Sequence, residues 1–353
     1  MVRRYLRAGN LAVTAVLAAA FLAGEAAIAS GWLSPYYQVQ LFSVGINVIL
    51  AVSLNLINGF TGQFSLGHAG FMAVGAYTAA VATTRWGLPF AAAILLAALA
   101  AALMGLLVGV PTLRLRGDYL AIATLGFGEI LRSVLYNVDY VGGATGLLGI
   151  PRLTTWPWLF AMTLLTVLLV KNLVNSSRGL ALKAVREDEI AAEDSGVDTT
   201  RTKVLAFVIG AVFAGIGGAL YAHYFFVIQP TTFSFLKSFE ILVYVVLGGL
   251  GSVTGSVVSA AALTLLSAAL QGLAALRMVL YGLVLVLLMI FRTGGLFGTW
   301  ELSFEAMGQA WGRLLRRPGA GGDLSGPAAL PRAEAATLPD LPEVTPDGAS
   351  QDR

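Results

Sequence analysis

Amide, hydroxyl and imidazole side chains interrupt an otherwise apolar stretch between residues 54 and 80. They include Asn55, Asn58, Gln63, Ser65 and His68. In hydrocarbon such groups are unfavourable unless they contact protein or a water-filled path. Glycines loosen the backbone between them, at Gly59, Gly62, Gly67 and Gly70. The stretch therefore predicts a broken or re-entrant membrane helix that lines a translocation route.

Glu129 is the ionisable residue placed furthest inside an apolar segment. Ionisable groups at such depth are costly and are usually functional. Arg132 follows three residues later, so the two side chains can pair on one helix face. Structural neutralisation and a role in the route are both open for Glu129. For His68 the alternatives are a hydrogen-bonded structural histidine and a group that contacts substrate or a proton.

The composition is that of a membrane protein, with 57% hydrophobic residues, 12% charged residues and a mean hydropathy of +0.80. A soluble core is excluded. The chain has no cysteine and two distant histidines, which argues against a disulfide framework and a clustered zinc site. We therefore expect no metal site and no catalytic residue. Positive charges gather near the ends of apolar segments, so a lipid bilayer is the expected environment and nucleic acid is not an expected partner.

Ten apolar segments are candidates for membrane crossings, each of which takes about 20 residues. They lie near residues 11–30, 39–58, 64–83, 88–111, 118–137, 156–173, 204–226, 238–250, 256–272 and 277–293. The third, eighth and ninth are short or glycine-rich. The fold expected is an all-α polytopic membrane protein with 8–10 transmembrane or re-entrant helices.

The distribution of arginine and lysine predicts the topology, because cytoplasmic loops are enriched in both. Both termini are expected to be cytoplasmic, with a short N-terminus at 1–10 and a permease-like membrane domain at 11–293. Residues 294–317 have the pattern of an interfacial amphipathic helix. Residues 318–353 are rich in Pro, Gly, Ala and Asp and predict a disordered cytoplasmic tail.

Residues 174–203 form the largest predicted cytoplasmic loop. Its first half has helix-forming composition with mixed charge, and Gly196 is expected to end the helix. The apolar side of that helix would comprise Leu180, Leu182, Val185, Ile190 and Ala191. A solvated surface loop is one interpretation. The other is a short helix that docks onto a cytosolic partner, with Arg186 at the contact.

Three segments carry a family resemblance. They are Asn55–Tyr77, Gly117–Arg132 and Arg178–Gly218, and they resemble the membrane-spanning permease subunits of branched-chain amino acid ABC importers. The resemblance covers residues 35–295. In that family a cytoplasmic coupling helix carries the pattern Glu-Ala-Ala, three residues, then Gly. Here Ile190, Ala191, Ala192 and Gly196 occupy those positions, so the glutamate is absent, as is a downstream Leu-Pro.

Other glycines are interpreted as packing or helix-breaking positions. Gly210 and Gly218 belong to a small-residue stripe in one predicted span, and Gly251 and Gly255 lie in the run 248–255. That run contains no lysine, and no phosphate-binding G-x-x-x-x-G-K-[ST] motif occurs in the chain. The broken regions 59–75 and 248–255 could be counterparts in an internal repeat.

The resemblance implies a multi-pass subunit of a bacterial-type inner membrane. The subunit would provide the path for branched-chain or related hydrophobic amino acids and would have no enzymatic activity or bound cofactor. Its implied partners are a second homologous permease, cytosolic ATP-binding subunits that hold ATP-Mg, and an extracytoplasmic amino-acid-binding protein. Two alternatives stay open, which are a urea or short-chain amide ABC permease and an ion-coupled carrier that depends on Glu129.

Overall fold

A computed structural model describes residues 8–31, 33–112, 115, 117–269, 279, 282–283 and 298. Its helices in chain order are α1 (Ala8–Ala29), α2 (Pro35–Asn55), α3 (His68–Thr84), α4 (Phe90–Thr112), α5 (Asp118–Asn137), α6 (Trp156–Val174), α7 (Ser177–Glu187), α8 (Glu189–Asp194), α9 (Thr199–Phe225), α10 (Phe235–Gly248) and α11 (Val253–Ala269). Two short strands, β1 (Leu147–Leu148) and β2 (Val227–Ile228), pair antiparallel. Among these residues, five helical segments are long and apolar enough to cross a membrane. The protein is an all-α polytopic membrane protein, as predicted.

The predicted spans before residue 272 each coincide with a helix, from α1 to α6 and from α9 to α11. The third predicted span starts later than expected, at His68, because residues 61–67 are without helix or strand. The predicted span at 277–293 and the segments 294–317 and 318–353 lie outside the described residues, apart from single positions, as do residues 1–7.

The centre of the fold is α9, which packs against α2, α3 and α4. Its glycines bring the helices into close contact. A Cβ atom at Gly218 would lie 2.0 Å from the carbonyl oxygen of Met72, and one at Gly210 would lie 2.5 Å from Cδ1 of Ile57. Similarly, a Cβ at Gly70 would lie 3.2 Å from Cα of Gly128, where α3 meets α5. Such close approach strengthens the dispersion contacts that hold helices together in lipid.

Helix α10 is short and begins beside the interior of α5. Its first residue, Phe235, donates its backbone N–H to Oε1 of Glu129 on α5 across 3.1 Å. Glu129 lies about 17 Å along α5 from the first residue of that helix. The 14 residues of α10 rise about 21 Å, less than the roughly 30 Å of hydrocarbon. Helix α10 therefore crosses only part of the membrane before the chain turns into α11.

Candidate functional site

The first break in the membrane helices lies between α2 and α3. After Asn55 the chain makes a π-helical turn over Leu56–Phe60 and then continues without helix or strand through residues 61–67 to His68. Gly62 has a φ of +72°, a conformation that favours glycine. The sequence prediction of a broken helix agrees with this backbone, and π-turns of this kind are often found at functional sites.

Asn55 joins this break to the turn between α10 and α11. Its Nδ2 donates to the carbonyl oxygen of Ser252 and to Oγ of Ser256, both at 2.8 Å. Its Oδ1 accepts the N–H of Gly251 at 2.9 Å. The side chain is fully buried. Asn55 was expected to line a route. Here its amide bonds within the chain, and a role in the route stays a prediction.

Other polar residues of the break also bond within it. Asn58 bonds the backbone of Ser65 through both amide atoms, at 3.2 and 3.4 Å. Oγ of Ser53 lies 2.9 Å from Nε2 of His68. All of these side chains are buried. The interpretation of His68 as a hydrogen-bonded histidine therefore has a direct contact behind it, while a role of His68 or Ser65 in transport stays a prediction.

The loop 174–203 folds as two helices rather than one. The chain leaves helical geometry at Asp188, whose Oδ1 then accepts the N–H groups of Ile190 and Ala191 at 2.8 and 3.1 Å. Aspartate at such an N-cap satisfies backbone donors that the helix leaves free. At the end of α8, Gly196 has a φ of +84°, the left-handed conformation common after a helix. We call residues 177–196 the docking unit.

Arg186 of the docking unit points toward the membrane domain. Its Nη1 donates to the carbonyl oxygen of Gly59 across 2.9 Å. Glycine is favoured at both neighbouring positions, because Gly62 and Gly251 have φ values of +72° and +89°. A Cβ at Gly251 would also lie 2.6 Å from the same Nη1, so that end of the arginine would have to shift. Arg186 was expected at the contact with a cytosolic partner. That expectation stays a prediction. In the structure the partly exposed Arg186 side chain also reaches both glycine-rich breaks from α7.

A second connection is an ion pair between Lys203 of α9 and Glu189 of α8. The Lys203 side chain is only 10% exposed and that of Glu189 is 27% exposed. Charges this far from water are stable chiefly when paired. The pair fixes α8 against the first turns of α9.

The outer surface of the docking unit carries exposed apolar side chains. Leu180 is 70% exposed and Ile190 is 62% exposed. The predicted apolar side was therefore partly wrong, because only Leu182 and Val185 face inward. Of the expected coupling residues, Ala191 and Gly196 are exposed, whereas Ala192 is buried and cannot itself contact a partner.

The family described as branched-chain amino acid transport system, permease component, matches residues 36–291. The chain belongs to this permease family. It is 37% identical over 286 residues to the high-affinity branched-chain amino acid transport system permease protein LivM of Salmonella typhimurium, covering 71% of this chain and 67% of the relative. The corresponding LivM of Escherichia coli is 36% identical over the same length. LivH of Escherichia coli is 29% identical over 175 residues, covering 48% of this chain and 56% of the relative.

No solved structure matches this chain. The family match agrees with the range of the resemblance noted in the sequence. As a permease component, the protein is a multi-pass transport subunit that works with other subunits of its system.

Within the membrane part of this permease, Glu129 is fixed by two contacts. Its Oε2 accepts from Nε of Arg132 at 2.7 Å, which is the pair predicted from the sequence. Its Oε1 caps α10 through the N–H of Phe235. The carboxylate thus offsets the positive end of the α10 dipole. About a third of each charged side chain is exposed, so Glu129 also has a surface available to a neighbour.

Lys237 was missed by sequence reasoning, although it lies in the first turn of α10. Its Nζ lies 3.2 Å from Oε2 of Glu240 and 3.2 Å from Oδ1 of Asn47 on α2. Tyr244 donates its hydroxyl to Oε1 of Glu240 at 2.5 Å. The cluster is costly at this depth unless fully paired. Lysine and glutamate three residues apart were the available signal.

Proposed function

We propose that this chain is a permease subunit of an ABC importer and provides the path for branched-chain or related hydrophobic amino acids. Relatives named for this transport support the substrate class. Hydrolysis of ATP-Mg would take place on cytosolic partner subunits, and this chain would have no catalytic role. A second homologous permease would complete the path, since relatives named LivM and LivH both resemble this chain.

One observation carries the mechanism: the same docking unit exposes Leu180 and Ile190 and inserts Arg186 between the two breaks. Exposed apolar side chains on a charged surface favour a protein partner. Movement of that partner would be transmitted through Arg186 to Gly59. The resulting tilt of the helices would exchange outward-open and inward-open states.

The topology that follows puts the docking unit and both termini in the cytoplasm of a bacterial-type inner membrane. An extracytoplasmic binding protein would deliver the amino acid to the opposite face. Within the described residues, Glu129 pairs with Arg132 and Glu240 pairs with Lys237. This pairing favours a path driven from outside the chain over one that binds a coupling ion.

The test is uptake of labelled leucine and urea into proteoliposomes that hold this chain with its cognate permease, ATP-binding subunits and binding protein. Leucine uptake that requires internal-face ATP and binding protein is expected. Urea uptake under the same conditions would contradict the substrate class and keep the mechanism. Uptake driven by an ion gradient without ATP would overturn the mechanism.

A further inference from the structure

A cavity of about 140 Å³ lies where residues 61–64, between α2 and α3, meet α5, α7, α8 and α9. Its polar wall includes Gln63, Arg186, Glu189 and Lys203. Its apolar wall includes Phe64, Leu120 and Val185. The cavity thus combines charges of both signs with an aliphatic and aromatic surface.

Gln63 is the clearest indication of a ligand. Its side chain is 4% exposed, and within the described part of the chain neither Nε2 nor Oε1 has a hydrogen-bond partner. A buried amide without partners is unfavourable, because its donors and acceptor have lost their hydrogen bonds to water. Native structures rarely keep such groups, and those that remain call for an explanation. Since Gln63 lines the cavity, an occupant can supply both missing contacts.

The charged groups of the cavity indicate which polar groups a ligand would carry. Arg186 presents a guanidinium with five N–H donors, of which Nη1 bonds Gly59. Its Nε lies 3.7 Å from Oε1 of Glu187, and the remaining donors, with Nε2 of Gln63, suit a carboxylate. Oε1 of Gln63 accepts a hydrogen bond, and Glu189, although paired with Lys203, keeps further lone pairs that suit an ammonium group. A zwitterionic α-amino acid head satisfies this combination.

The apolar wall of the cavity indicates the side chain of the ligand. Leu120 and Val185 are 3% and 6% exposed, and Phe64 lies at the more open side. A volume of 140 Å³ holds roughly five water molecules, which is comparable to a small aliphatic amino acid. Burying an aliphatic side chain against this wall is favourable by about 25 cal/mol per Å².

We propose that this cavity is a regulatory site that binds a branched aliphatic amino acid from the cytoplasmic side. The inference rests on the proposed function, because the ligand is the class of molecule that the transporter delivers. A ligand in the cavity contacts α7, α8 and residues 61–64 at the same time. Bound amino acid therefore holds the docking unit against the break and slows the next transport cycle.

Direct binding tests the site. Labelled leucine is measured by equilibrium dialysis on the detergent-purified complex of permeases and ATP-binding subunits, without binding protein. Wild type is expected to bind leucine saturably, and Gln63→Met to bind at least tenfold more weakly, because methionine keeps the volume and removes the amide. Gln40→Met is the matched control, since Gln40 is a buried glutamine at the other end of α2.

The absence of cysteine from the chain gives a second readout. A thiol reagent should label Phe64→Cys more slowly when leucine is present. Leu148→Cys, exposed on β1 outside the docking unit, should be labelled at the same rate with or without leucine. In proteoliposomes, leucine on the ATP side should lower the rate of uptake several-fold. The rate of each variant is divided by the rate of the same variant measured without leucine on that side.

The outcomes separate this proposal from the transport function. Normal ATP-driven leucine uptake without leucine binding to the purified complex overturns the regulatory site alone. Equal binding by wild type and Gln63→Met also overturns it, because the leucine then lies elsewhere. Loss of ATP-driven uptake in wild type is a failure of the proposed function and is detected before any variant is compared.

Discussion

Arg186 and Gly59 are 127 positions apart in the chain, yet the guanidinium of one donates to the carbonyl oxygen of the other across 2.9 Å. The acceptor belongs to the π-helical turn at which α2 breaks, and the donor belongs to the docking unit. A charged donor on a backbone acceptor is stronger than an ordinary amide contact. The contact gives movement of the docking unit a direct route to the membrane helices.

Replacement of Arg186 by alanine is expected to uncouple ATP hydrolysis from uptake. A hydrogen bond to a charged group contributes about 1.5–3 kcal/mol, so leucine taken up per ATP hydrolysed should fall about tenfold. Arg186→Lys should recover part of the loss, because one ammonium can reach one carbonyl. Both rates are measured in the same proteoliposomes. Arg178→Ala, exposed on the same helix, serves as control, and an unchanged ratio in Arg186→Ala would contradict the coupling role.

Docking depends on the exposed apolar surface in our proposal. The double change Leu180→Glu and Ile190→Glu places charge where a partner would bury apolar surface, so ATP-binding subunits should be lost during purification in detergent. Leu148→Glu is the control, since Leu148 is comparably exposed on β1. Retention of the ATP-binding subunits by the double variant would exclude this surface as the docking site. Gly196→Trp should weaken the same association, because it places an indole at the exposed end of α8, at a φ of +84° that favours glycine.

The Lys203–Glu189 pair should be needed for stability. Lys203→Met leaves a mostly buried carboxylate unpaired, which is expected to cost about 1–3 kcal/mol after allowance for the partial exposure of Glu189. The thermal midpoint of the purified complex should fall by several degrees. The double variant Lys203→Met with Glu189→Gln should recover most of that loss. A double variant as unstable as the single one would mean that packing, rather than charge, is responsible.

Glycine at position 218 should be far less replaceable than glycine at position 126. Gly218→Ala brings a Cβ within 2.0 Å of the Met72 carbonyl oxygen, so α9 and α3 must separate at a cost of about 2 kcal/mol. Gly126→Ala meets no atom of the described chain within 4 Å and improves helix propensity. Thermal unfolding of the separately purified chain measures both. Equal losses would show that the contact at Gly218 is not limiting.

Glu129→Gln should be tolerated, because an amide oxygen can still accept the N–H of Phe235. The lost pair with Arg132 is partly exposed and contributes about 0–1 kcal/mol. Glu129→Leu removes the cap as well and should reduce uptake several-fold more. ATP-driven leucine uptake by the two variants is the measurement. Abolition of uptake by Glu129→Gln would instead favour a carboxylate that carries a proton or an ion.

Much of the fold was predictable because hydrocarbon imposes strong rules on composition. Long apolar runs give helices such as α4 and α6 directly, and glycines with amides marked the break after Asn55. The end of α8 at Gly196 was also predictable, because a left-handed residue commonly follows a helix. Each of these features is determined mainly by residues that are close to it in the sequence.

Features that depend on distant contacts were not predictable. Arg186 points inward beside Gly62 and Gly251, and both glycines are far from Arg186 in the sequence. The interruption at Asp188 was missed because aspartate also occurs on solvated helix surfaces. The depth of Lys237 became visible only when α10 was found to begin beside Glu129 on α5.

The amide of Asn55 has a mechanical consequence. Its three hydrogen bonds fasten the end of α2 to the turn that begins α11, and Arg186 contacts the same two segments. Two interruptions that look like separate hinges in the sequence therefore act as a single joint. Helices α2 and α11 must tilt together at the ends that meet beside Arg186, so displacement of the docking unit moves both helices at the same time.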